Sequence, residues 1–148
     1  MKPADAPHVG SVESALGIVG DRWSLLILRE VFHGVRRFDD FLRNTGVSRA
    51  VLSSRLRTLT GAGLLRREPY REGNARSRAE YRPTRSGVEL LPALVALMEW
   101  AEEHVEGAAR ADVLTHRGCG GRVHAHLACD AGHDVTPDEI DARRGGAS

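Results

Sequence analysis

The sequence predicts a mainly α-helical chain that carries one small β-hairpin and ends in a small C-terminal hairpin tail. Three observations carry this. Apolar residues recur at helical spacing in several separate segments. Two short β-prone runs, Leu64-Leu65-Arg66-Arg67 and Ala79-Glu80-Tyr81-Arg82, flank a polar, arginine-bearing loop. Beyond residue 106 large apolar side chains become scarce, and Cys, His and Gly take their place. A chain of 148 residues has the size of one ordinary domain, and 41% apolar with 28% charged residues suits a folded protein. No apolar run approaches the roughly 20 residues of a membrane-spanning helix, and the Met1-Lys2-Pro3-Ala4-Asp5 start does not read as a signal peptide. Two cysteines cannot build a disulfide scaffold, so a reducing cytoplasmic setting is expected.

Residues 1–10, with two Pro, two Ala and a Gly, read as a flexible arm. Ser11 is placed to cap a first helix whose apolar positions Val12, Ala15, Leu16, Val19, Trp23, Leu26 and Ile27 continue to Phe32-His33-Gly34. The all-apolar run Leu25–Leu28 makes that helix central, and Trp23 reads as a core anchor. Phe38, Phe41 and Leu42 mark a short second helix ending at Asn44-Thr45-Gly46. Ser48 caps a third, from Arg49 to about Thr60, which buries Leu52, Leu56 and Leu59. At 100° per residue the opposite face carries Ala50, Ser54 and Arg57, with Ser53 on its shoulder and no acid. Thr84 caps a long fourth helix that Pro92 should kink. Along it Leu91, Leu94, Met98, Ala101 and Val105 repeat at heptad spacing, the pattern of a dimer seam or of a helix lying on its own domain.

Charge is distributed unevenly. The formal net charge is +1, yet residues 34–87 hold 13 Arg against five acids, and the remainder holds eight basic against 15 acidic residues. Such a basic middle suits a polyanion-binding face. Two helices joined by a tight Gly-containing turn and followed by a basic hairpin is the order of a winged helix-turn-helix. In that reading the helix Ser48–Thr60 enters the major groove, and the wing Arg71 to Arg78, with Arg76 between, touches backbone or minor groove. Ala50, Ser53, Ser54 and Arg57 are placed for base readout, Arg57 alone being able to grip guanine bidentately. Ser48 and Arg49 sit at the helix N-terminus, whose dipole favours phosphate. Arg55 lies on the flank, in reach of either a phosphate or an acid such as Asp39 or Asp40.

The order of residues also resembles the HxlR-type family of winged-helix transcriptional regulators. The resemblance runs from Glu13 to Trp100 through Gly20-Asp21-Arg22-Trp23-Ser24-Leu25-Leu26-Ile27-Leu28-Arg29-Glu30, Arg37-Phe38-Asp39-Asp40-Phe41, Leu52-Ser53-Ser54-Arg55-Leu56, Gly63-Leu64-Leu65, Glu80-Tyr81 and Thr84-Arg85-Ser86-Gly87. It implies a homodimer that binds double-stranded DNA and controls a nearby promoter, most simply as a repressor. Many such relatives carry a cysteine just before the first helix; Gly10 stands there in this chain, so thiol sensing at that point has no residue to act through. On this reading residues 11–106 form the DNA-binding and dimerisation domain and 107–148 a separate tail. A small-molecule effector between the first and fourth helices is compatible with the layout, and none is specified.

The tail offers the alternative reading, a metal-responsive regulator or metal-binding module. His116-x2-Cys119 and Cys129-x3-His133 have the spacing of two knuckles that together could hold one structural zinc ion. Val and His alternate in residues 122–127, which predicts a strand with His124 and His126 on one face as further potential ligands. The competing reading is a metal-free hairpin. An enzyme is not expected, because no H-E-x-x-H pattern, nucleophile elbow or phosphate loop occurs.

Overall fold

The computed structural model describes residues 10–70, 73, 78–110 and 112–144, and divides into two compact units, Met1–Leu91 and Pro92–Ser148. In the first unit the expected long first helix is two helices, α1 (Ser11–Val19) and α2 (Arg22–Phe32). Apolar spacing continues across the break, which hides it, but Asp21 takes an extended backbone and its carboxylate accepts the Ser24 amide at 2.9 Å, starting α2 afresh. Gly10, not Ser11, occupies the N-cap of α1 and offers no side-chain bond. Helix α3 (Phe38–Thr45) ends on Gly46 at φ +70°, a left-handed cap that a side chain would strain. Ser48 caps α4 (Arg49–Gly61) by accepting the Val51 amide, as the sequence predicts.

The hairpin pairs β1 (Leu65–Tyr70) antiparallel with β2 (Arg78–Pro83), in the register Leu65 opposite Pro83 and Tyr70 opposite Arg78. It reaches further than the β-prone runs, so Glu68-Pro69-Tyr70 is strand rather than loop. Cross-strand pairing supplies what propensity lacks: Glu68 lies opposite Glu80, and Arg82 bridges both, at 3.1 Å and 2.9 Å. The Tyr81 amide also donates to the Arg36 carbonyl at 2.8 Å, adding the segment before α3 to the hairpin's edge. Thr84 caps a single turn, α5 (Arg85–Val88). Around α2 and α4 the core collects Ile27, Leu28, Val31, Phe41, Val47, Leu52, Leu56, Leu59, Leu64 and Leu65, with Trp23 half-buried against it.

The second unit is built on α6 (Leu91–His104). The expected kinked helix is therefore two separate helices, and Pro92 sits in the first turn of α6, where its missing amide costs no hydrogen bond. Of the predicted seam, Leu91, Leu94, Met98 and Ala101 are half-buried and Val105 is exposed. Met98 shares a narrow cavity with Val95, Leu114 and Val123, so this part of the stripe faces its own tail. Leu97 and Trp100 are the exposed large apolar residues of the helix, at 52% and 60%. The tail forms two small turns of chain. In one, Thr115 bridges Arg122; in the other, β3 (Leu127–Ala128) pairs with β4 (Asp134–Val135). Residues 122–126 do not make the expected strand. The Ala125 amide donates to Glu99 Oε2 at 3.2 Å instead of to a neighbouring strand, and the His124 imidazole bonds the same carboxylate.

Candidate nucleic-acid interface

Three leucines decide the orientation of α4. Leu52, Leu56 and Leu59 are buried, which turns Ser48, Arg49, Ala50, Ser53 and Arg57 to the exposed side and leaves Ser54 and Arg55 half-buried. The helix contains no acid, so nothing on it opposes an approaching phosphate. Its N-terminal end faces a carboxylate on α3: Asp39 lies 3.5 Å from Arg49 and 3.8 Å from Arg78, the first residue of β2. One acid thus spans the start of α4 and the first residue of β2. Nearby, the Arg37 guanidinium stacks 4.2 Å over Tyr70 and lies 3.7 Å from Glu80. The wing residues Arg71 and Arg76 lie outside the described residues.

Arg55 pairs with neither Asp39 nor Asp40. Its guanidinium reaches Asp21 at 3.4 Å and also donates to the Ser54 hydroxyl at 3.2 Å. Burial works against ionisation of Asp21, yet the Ser24 hydroxyl at 2.6 Å, the Ser24 amide and Arg55 outweigh it and hold the carboxyl below its usual value. Asp21 therefore caps α2 and ties α4 to it, which fixes how α4 is presented. Sequence reasoning left Arg55 between phosphate and acid because the partner is 34 residues away.

Toward the C-terminal half of α4 an open cleft of about 460 Å³ is lined by Ser53, Arg57, Thr60, Gly61, Arg67 and Tyr81. Arg67 was not among the predicted contacts. Period-2 alternation puts it on the opposite side of β1 from Arg66, whose guanidinium is tied to Glu68 at 2.6 Å.

In the tail the four predicted zinc ligands stand as two pairs. His116 Nδ1 lies 3.3 Å from Cys119 Sγ, and Cys129 Sγ 3.6 Å from His133 Nδ1. The Gly121 amide donates to Cys119 Sγ at 3.4 Å, and backbone amides around His133 and Ala131 hold the Cys129 thiol below its usual pKa. Among the described residues no group of three or more His, Cys, Asp or Glu side chains converges in ligating geometry, so the four are not gathered into one site. The two additional histidines are otherwise engaged, His124 with Glu99 and His126 with Asp134 at 3.3 Å.

A family model for HxlR-like helix-turn-helix proteins matches residues 18–109. An uncharacterised HTH-type transcriptional regulator of Mycobacterium tuberculosis, Rv3095, is 43% identical over 132 residues, covering 88% of this chain and 82% of that one. Among solved structures, the candidate transcription factor PA1607 is similar with a TM-score of 0.79 at 29% identity, over 94% of this chain and 97% of that one. The redox regulator HypR in its reduced form is similar with a TM-score of 0.60 at 28% identity, over 66% and 95% of the two chains. Among the described residues no helix is long and apolar enough to cross a membrane.

Proposed function

Since the chain belongs to the HxlR-like helix-turn-helix family and is a transcriptional regulator rather than an enzyme, we propose that it works in the cytoplasm as a homodimer that binds double-stranded DNA in a sequence-specific way and represses a promoter. The observation that carries this reading is the acid-free exposed face of α4, held outward by three buried leucines and anchored through Arg55 to Asp21. Inserted in the major groove, α4 brings Ala50, Ser53 and Ser54 to base edges, while Ser48 and Arg49 meet phosphate at the positive end of the helix. Arg71, Arg76 and Arg78 on the wing take the flanking backbone or minor groove. Repression needs only that the bound dimer occupy DNA the polymerase requires. The dimer would use α6, whose exposed Leu97 and Trp100 are better placed for a partner than Met98. A gel shift with the DNA upstream of the protein's own gene, against a random duplex of equal length, tests the reading. Retention of the upstream fragment at salt that releases the random one is the expected result, and equal affinity for both removes sequence specificity.

A second reading concerns the tail. Each His–Cys pair is already assembled, and backbone amides hold the Cys129 thiol below its usual pKa, toward the thiolate that binds zinc. One zinc ion held jointly by His116, Cys119, Cys129 and His133 would require the two pairs to come together. Elemental analysis yielding one zinc per chain, lost on Cys119→Ser, supports this; a metal-free protein leaves the tail a structural cap.

A further inference from the structure

We propose that the cleft between the C-terminal half of α4 and the wing strands is a phosphate-binding notch, with Arg57 and Arg67 as its two cationic jaws, and that its occupant is one backbone phosphate of bound DNA. The proposal rests on the DNA-binding reading above and gives that interface a contact point the recognition helix alone does not have.

The argument begins with how the arginines of the basic segment are used. Arg37, Arg43, Arg49, Arg55, Arg66, Arg78, Arg82 and Arg85 each face a carboxylate, and Arg36 donates to the Val31 and Val35 carbonyls. Among the described residues, Arg57 and Arg67 have neither an acid nor a hydrogen-bond acceptor. These two line the same cleft. Its other walls are Ser53, Thr60, Gly61 and Tyr81, three of which carry a hydroxyl and none a carboxylate. Thr60 Oγ1, buried within that wall, has no hydrogen-bond partner among the described residues. Two unneutralised guanidiniums with hydroxyl donors in an open hollow of about 460 Å³ match the charge and the donor count of a phosphate group.

Position selects the source of that phosphate. In the DNA-binding reading the cleft lies between the helix that enters the major groove and the strands that carry the wing, so a phosphate of the backbone flanking that groove is the one it would meet. Arg57 is thereby drawn toward backbone and away from the guanine contact that its place on the helix suggested. Base reading is left to the small residues of the first two turns of α4, and the notch sets the depth at which they meet the bases. Free inorganic phosphate has the same chemistry, so the test must separate the two.

Binding of the upstream fragment and of a random duplex is measured by fluorescence anisotropy over a salt series, for wild type, Arg67→Ala and the exposed control Arg85→Ala, with circular dichroism confirming that each is folded. Arg67→Ala is expected to weaken both duplexes by a similar factor, about tenfold, and to reduce the slope of log affinity against log salt by about one. Arg85→Ala should change neither. An unchanged slope in Arg67→Ala, with wild type binding DNA normally, overturns the notch and leaves the DNA-binding reading intact. Wild type that binds neither duplex overturns both. In a second arm inorganic phosphate replaces chloride at equal ionic strength. If it displaces DNA from wild type more readily than from Arg67→Ala, the two phosphates compete for the notch and the backbone phosphate is supported. If calorimetry shows it binding wild type and not Arg67→Ala while both bind DNA alike at every phosphate concentration, free phosphate is the occupant and the assignment to DNA is overturned.

Discussion

Asp21 shows how much can depend on one carboxylate. It caps α2 through the Ser24 amide, accepts the Ser24 hydroxyl and holds Arg55 on α4. Asp21→Ala should therefore lower stability by about 1–2 kcal/mol through loss of the cap, and should weaken DNA binding further because α4 loses its tie to α2. Denaturant melts and anisotropy separate the two effects. The pH dependence has a definite sign. A carboxyl held below its unfolded value stabilises the fold above that value, near 3.8, and loses its contribution as pH falls through the folded one. Asp21→Asn keeps a competent cap but removes the titrating charge, so its stability should fall less steeply than wild type below about pH 4. Equal acid limbs for the two proteins would show that Asp21 does not govern this transition.

Among the elements, the hairpin and the tail depend on contacts that single residues make possible. At Gly87, in α5, a Cβ would lie 2.1 Å from the Leu64 carbonyl oxygen, and Thr84 donates at the same crossing to the Gly63 carbonyl. Because the opposing atom is backbone, it cannot swing aside. Gly87→Ala should cost about 1–3 kcal/mol and loosen the base of the hairpin, which a thermal melt and amide exchange of β1 and β2 would show. In the tail, Glu102 holds Arg110 and Arg122 while Glu99 holds His124, so this segment is fastened to α6 by charge as well as by apolar contact. Cys119→Ser should speed amide exchange in residues 114–123, where Cys119 accepts the Gly121 amide, and should leave α2 and α4 protected. Loss of protection in α4 would mean that the two units do not fold independently.

At the scale of the whole molecule the proposal concerns assembly. A two-fold axis through α6 implies an operator with two inverted half-sites about 10 to 11 base pairs apart, or a multiple of one turn. Trp100 is exposed on α6 at 60%, beside Leu97 at 52%. Trp100→Glu should then give monomers in light scattering and reduce operator affinity by about a hundredfold, since the second half-site contact is no longer intramolecular. Met98→Glu is a poorer probe, because Met98 packs with Leu114 and Val123 and its loss would disturb the tail itself. A wild type that scatters as a monomer, or a Trp100→Glu dimer, would exclude this interface.

Local chemistry was readable from the sequence by itself. The Ser48 cap, the Gly46 stop, the leucine stripe of α4, the hairpin and the charge contrast between residues 34–87 and the rest each depend on neighbours within a few residues, and together they led to the fold and to the family. Tertiary structure decided whatever depends on a partner distant in the chain. The break at Asp21 was masked because apolar spacing ran straight through it. Arg55 chose an acid 34 residues away over the two that local reasoning offered. Glu68 to Tyr70 joined β1 because a facing strand completed their hydrogen bonds, and residues 122–126 failed to form a strand because Glu99 took the amide that a ladder would have used. Among the described arginines of residues 34–87, Arg57 and Arg67 stand apart only by having neither a counter-ion nor a hydrogen-bond acceptor, and the spacing of arginines along a chain does not reveal which of them the fold will engage.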